Sequence, residues 1–200
     1  MTVTLTTTTI GAAYLEETML PLIMSINPKQ TESHILSALG MNNRVSPHSI
    51  LIAFGERIEQ FWNKVLSDDS SVTNLIEDSN LITVGNRQRQ IDHLFSTNDP
   101  ASITYYLESK CNLNFDSEKI RASNEKINAV ADAVGGCIAA YFVPVVATVP
   151  QAEVTRYEGK GMTVMGVDDL LARIQAPFTS AEYFAFLREV VAPILAEKGL

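Results

Sequence analysis

The sequence predicts a mixed α/β fold, with a mixed central β-sheet flanked by α-helices. Three observations point to it. Residues 90–95 and 103–111 alternate polar and apolar side chains across a polar turn, so they form an antiparallel hairpin. Residues 137–146 are almost wholly apolar, as expected of a strand covered on both faces. Between the two lies a helical segment long enough to cross over to a parallel neighbour.

The elements follow in order. Residues 10–26 read as a helix interrupted by Pro21, and residues 31–39 as a short helix stopped by Gly40. Residues 42–46 are polar and loop-like. Ser46-Pro47 is a helix start, with a hydroxyl cap and proline at the first position. Leu51, Phe54, Ile58, Phe61, Trp62 and Val65 then recur at helical spacing and give this helix one apolar stripe to lay on a sheet. The serines at 67, 70 and 71 end it. Residues 81–84 form a short strand before the Gly85-Asn86 turn. In the hairpin Gln90, Asp92 and Leu94 share a face, as do Thr104, Tyr106, Glu108 and Lys110. Asp116 or Ser117 caps the crossover helix, whose apolar face is Ile120, Ile127, Val130 and Val134, and Gly135-Gly136 stops it. Residues 162–165 are a short strand and 167–174 a short helix, and Thr179 or Ser180 caps a last helix reaching about Lys198. Residues 1–44 are expected to form a helical extension packed on a core spanning 45–200.

Composition narrows the function. Of 200 residues, 46% are hydrophobic and 19% charged, so a packed core is expected and a disordered acidic chain is not. The longest apolar run, 137–147, contains Pro144 and is too short to span a bilayer. The Thr-rich start lacks the basic flank and apolar stretch of a secretion signal. Cys111 and Cys137 form no CxxC pair and are expected to be reduced, buried thiols in a cytoplasmic protein. The net charge of −8 argues against a chain held on nucleic acid by bulk charge. Residues 86–126, however, balance Arg87, Arg89, Lys110, Lys119, Arg121 and Lys126 against six acids.

One constellation points to chemistry. Asp92 lies on the first hairpin strand and Glu108-Ser109-Lys110 on the second. Glu108 and Lys110 are two apart, so they point the same way, ~6–7 Å apart along the strand. The hairpin brings Asp92 within a rung or two of Glu108. Carboxylates that converge repel each other unless a cation sits between them, and hard oxygen ligands suit Mg²⁺. Such an ion polarises a phosphate, and an adjacent ammonium offsets charge on a pentacovalent transition state. Glu158-Gly159-Lys160 repeats the E-x-K spacing, but between glycines and without an upstream Asp on a paired strand.

At Asp92 and Glu108-Ser109-Lys110 the chain resembles the PD-(D/E)xK nuclease superfamily, and the stretch 106–119 looks most like type II restriction endonucleases. Ile91 stands where the family name expects proline. The resemblance covers residues 45–198 and implies a restriction-endonuclease-like α/β/α core. It further implies catalytic Asp92, Glu108 and Lys110, with Mg²⁺ held by Asp92, Glu108 and the Ser109 carbonyl. Such families often add a Glu from the leading helix. Glu59, on the flank of the apolar stripe, is the candidate ligand, and Glu56 lies nearly opposite that stripe. Asn112, Asn114, Lys119, Arg121 and Asn124 follow the motif and are candidate DNA contacts, as are Arg87 and Arg89 ahead of Asp92. His93, opposite Asp92, is expected to face the core. The resemblance implies a Mg²⁺-dependent, sequence-specific endonuclease acting on double-stranded DNA as a homodimer. A structure-specific repair or junction nuclease, and a non-enzymatic α/β interaction module with an acidic surface, are the competing expectations.

Overall fold

The computed structural model describes residues 9–27, 46–76, 80–111, 117–159 and 161–200, with 117 and 119 by backbone only. The expected helix at 31–39, the loop at 42–45, Asn112, Asn114, the alternative cap Asp116 and Lys160 lie outside the described residues. The chain divides into two compact units, residues 1–61 with 177–200, and residues 62–176. The expected α/β class holds, and the sheet belongs to the second unit.

The first unit is helical. Helix α1, Ile10–Met24, starts at Thr9, whose hydroxyl accepts the Ala12 N–H at 3.1 Å. Leu15, Met19 and Ile23, spaced by four, form its buried stripe. Helix α2, Pro47–Asp68, starts at the expected serine cap, with the His48 N–H on Ser46 Oγ. Its Phe61 ring lies 5.8 Å from Phe178 and 5.9 Å from Tyr183.

The second unit takes over helix α2 from Trp62. It contains β1 (Val72–Asn74), β4 (His93–Thr97), β5 (Thr104–Ser109), β6 (Ile138–Phe142) and β7 (Thr163–Met165) in the order β1-β4-β5-β6-β7. Strands β4 and β5 are antiparallel with His93 opposite Leu107 and Leu94 opposite Tyr106, whereas β6 and β7 run parallel to β5. Helix α3, Ser117–Val134, makes the crossover from β5 to β6. On one sheet face Leu94, Tyr106 and Tyr141 pack with Ile120, Ile127 and Val130 of α3. On the other, Trp62 meets Phe142 edge-on at 5.2 Å. Strands β2 (Leu81–Val84) and β3 (Arg87–Gln90) form a separate two-stranded ribbon around the Gly85 turn, where φ is +60°.

The structure differs from the sequence reading in definite places. The strand expected at 90–95 is cut at Ile91-Asp92. Ile91 donates its N–H to Asn80 O at 2.7 Å, which ends the ribbon, and pairing with β5 begins only at His93. The apolar strand stops at Phe142, just ahead of Pro144, which has no N–H to donate. Strand β1 and helix α4, Gln151–Glu158, were not expected. The short helix α5 is Val167–Leu171. Gly166 precedes it because a Cβ there would lie 2.4 Å from Ala147 O. The last helix is three pieces: α6 (Ser180–Phe186), a π turn (Leu187–Val191) and α7 (Ala192–Glu197). Pro193 cannot donate to Glu189 O, and the Ala192 N–H reaches back to Leu187 O instead. The thiols are also more open than expected, with Cys111 exposed and Cys137 half-buried. Among the described residues no helix is long and apolar enough to cross a membrane.

Candidate functional site

The site forms where β4 begins and β5 ends. Continuing the antiparallel register one step beyond His93–Leu107 puts Asp92 opposite Glu108. The break before β4 leaves Asp92 outside the ladder, and its side chain takes over the pairing: Ser109 donates its backbone N–H to Asp92 Oδ2 at 2.8 Å. The Asp92 carbonyl is fixed from behind by Asn63 of α2, whose Nδ2 donates to it at 3.0 Å. The same Asn63 holds His93 Nδ1 through Oδ1 at 2.8 Å. His93 is fully buried, as expected of a core-facing ring, and burial lowers its pKa to about 3, so it stays neutral.

Glu108 is the hub. Only 4% of its surface is exposed, yet three donors meet there. Lys110 Nζ donates to Oε1 at 2.7 Å, while Lys126 Nζ and the Tyr106 hydroxyl donate to Oε2 at 2.6 and 2.7 Å. Lys110 itself is anchored by its backbone N–H on Phe142 O at 2.8 Å, which extends the β5–β6 pairing one residue past Ser109.

The two carboxyls therefore differ in character. Burial alone would raise the pKa of Glu108, but Lys110 and Lys126 outweigh it and hold the group below the usual carboxylate range. Asp92 is pushed up to about 6, by burial first and by the Glu108 charge second, and the two lysines and the Ser109 N–H only partly offset this. Tyr106 is raised far above an ordinary phenol by burial and by Glu108, so it remains a hydrogen-bond donor. With both carboxyls ionised the cluster holds two negative and two positive charges.

This donor set fits a hard divalent cation. Asp92 Oδ2 and both Glu108 oxygens are occupied by N–H and O–H donors, the places a cation would compete for, and Asp92 Oδ1 accepts no hydrogen bond from the described residues. The described residues contain no cluster of three or more acidic, His or Cys side chains. The carboxylates that such an ion could meet here are those of Asp92 and Glu108, joined through the Ser109 N–H on Asp92 Oδ2. An ion so held keeps positions for other oxygen ligands, which Mg²⁺ tolerates.

Of the expected site residues, Asp92, Glu108, Ser109 and Lys110 come together. Glu59 is half-buried on the portion of α2 that belongs to the first unit, and Glu56 is exposed. Arg87 and Arg89 lie ahead of Asp92 as expected, on strand β3 of the separate ribbon. Arg121 is exposed and lies 3.8 Å from Glu125, and Asn124 accepts the Tyr141 hydroxyl at 2.8 Å. Lys119 lies in the first turn of α3.

Three residues that hold the cluster were not picked from the sequence: Lys126, Tyr106 and Asn63. For Lys126 a signal existed. It directly precedes Ile127, so it falls on the flank of the apolar face that α3 lays on the sheet. Tyr106 shares the Glu108 face by strand alternation. Asn63 gave no signal beyond being polar beside the apolar stripe. No known family model matches this chain, and a comparison with curated proteins finds no match.

Proposed function

We propose that this chain is a Mg²⁺-dependent endonuclease of the PD-(D/E)xK type, most like a type II restriction enzyme, that hydrolyses phosphodiester bonds in double-stranded DNA as a homodimer. The observation supporting this is the cost built into the site. Asp92 is buried opposite a second carboxyl and carries a pKa near 6, an arrangement that disfavours its own ionised form. Sites that store such repulsion are typical of functional clusters.

In this reading Asp92, Glu108 and the Ser109 carbonyl hold the ion. When bound, it would polarise the phosphate and acidify a nearby water. The remaining work falls to the chain. Lys110, anchored through its own backbone, keeps an ammonium at the site to orient the attacking water and offset transition-state charge. Tyr106 keeps its proton and fixes Glu108 Oε2. Asn63 sets the backbone at Asp92 from behind, so both carboxyls are positioned before substrate arrives. The neutral balance of the cluster removes a local barrier to a polyanion on a chain of net charge −8. A two-fold dimer would match a palindromic site.

Plasmid digestion with Mg²⁺ tests the proposal. Discrete bands fixed by sequence, absent in Glu108→Gln and Lys110→Ala, are expected. Cutting fixed by DNA structure would favour a repair or junction nuclease on the same scaffold. No cutting of any DNA across metals and salt would remove the enzymatic reading.

A further inference from the structure

Resting on that reading, we infer that the β2–β3 ribbon is the base-reading element, and that its outward face, with Gln88 and Gln90 at its centre, contacts base edges next to the cut. In an antiparallel ribbon directly paired residues share a face. Ile82 pairs with Arg89 and Val84 with Arg87, and both apolar residues are half-buried against the core of the second unit. The other face holds Thr83 paired with Gln88 and Leu81 paired with Gln90, and all four are exposed. One side of the ribbon is thus pinned to the scaffold. The other presents two amides, a hydroxyl and an apolar side chain to solvent.

That composition fits a duplex. The major groove admits a two-stranded ribbon; glutamine pairs with adenine through two hydrogen bonds, and apolar groups meet the thymine methyl. Charge agrees as well. Residues 80–91 contain Arg87 and Arg89 and no acid, in a chain whose acids outnumber its basic residues 23 to 15. Position is the third argument. Strand β3 ends at Gln90, two residues before Asp92, and the Ile91 N–H on Asn80 O ties the base of the ribbon there. At ~3.3 Å per residue, Gln90 and Gln88 lie at most about 7 and 13 Å along the chain from Asp92. With base pairs ~3.4 Å apart, they reach pairs about two and four steps from a phosphate held at the site.

The experiment first maps the wild-type cut site. It then measures kcat/KM for wild type, Gln88→Ala, Gln90→Ala and the double variant on the mapped duplex and on a set with single base-pair changes. A Mn²⁺-induced Tm shift equal to wild type certifies an intact metal site in each variant. Each glutamine variant is expected to lose on the order of 10- to 100-fold on the mapped duplex and to flatten discrimination at one nearby base pair. Arg87→Ala is expected to weaken binding equally for all sequences and to lower the salt slope by about one. A double variant that retains wild-type discrimination overturns the inference, as does a wild type that cuts with no sequence preference. A wild type that cuts no duplex overturns the proposed function itself.

Discussion

Asp92→Asn is expected to stabilise the protein while destroying the proposed activity, and the size of the effect follows from the site. A carboxyl whose pKa is about 6 when folded, against 3.8 ordinarily, is harder to ionise in the folded chain. At about 1.4 kcal/mol per tenfold change in proton affinity, the ionised group costs the fold about 3 kcal/mol. The penalty is absent only well below pH 3.8, where both states are protonated. It grows as pH rises and is complete above about pH 6. Asparagine removes the charge and keeps an oxygen for the Ser109 N–H. The variant should therefore be more stable than wild type by about 3 kcal/mol near pH 8, with the gain shrinking to about 0.5 kcal/mol near pH 4. Urea denaturation of both proteins at about pH 4, 6 and 8 measures this. A variant less stable than wild type at pH 8, or a gain independent of pH, would refute the reasoning that burial and Glu108 burden Asp92.

Three further outcomes follow from the same contacts. Lys126→Met removes one of three donors from a buried carboxylate, so it should cost about 1–3 kcal/mol near pH 8 and tighten Mn²⁺ binding, because one competitor for Glu108 Oε2 is gone. Unchanged stability and metal affinity in a Mn²⁺ titration would show that the pair contributes nothing. Asn63→Ala strips partners from the Asp92 carbonyl and from His93 Nδ1, a loss of roughly 2–4 kcal/mol by denaturation; a loss below 0.5 kcal/mol would contradict the role given to Asn63. The His93 ring, lowered to about 3, should show no titration by NMR between about pH 5 and 8; a midpoint in that range would mean the ring is not sealed as described.

Much of this is legible in the sequence, for identifiable reasons. Alternation puts Asp92, Glu108 and Lys110 on one face, and the side chains do meet around one point: Lys110 on Glu108, and Asp92 on the Ser109 N–H between them, because a strand has only two faces and the turn at 96–102 limits which residues can meet. The helix starts at Ser46 and Thr179 were legible because a hydroxyl cap is a local interaction. What failed was long-range. The ladder switch at Ile91 depends on Asn80, eleven residues earlier, and nothing local marks it. Helix α4 is only eight residues long and follows an apolar strand, so its pattern was too short to register. Lys126 reaches Glu108 across 18 residues and Asn63 reaches His93 across 30, so neither contact has a spacing rule. The candidate site was thus readable as far as one hairpin reaches and not beyond it.

Asp92 and Glu108 are proposed to hold one divalent ion together, and calorimetric titration of the protein with Mn²⁺ or Mg²⁺ tests this most directly. Run near pH 6 and pH 8 in buffers of differing ionisation enthalpy, it counts both ions and protons. Binding should be one ion per chain, releasing about half a proton near pH 6, where Asp92 is half protonated, and almost none near pH 8. Binding should vanish in Glu108→Gln. Absence of binding in the wild type, or binding that survives both Asp92→Asn and Glu108→Gln unchanged, would contradict the account.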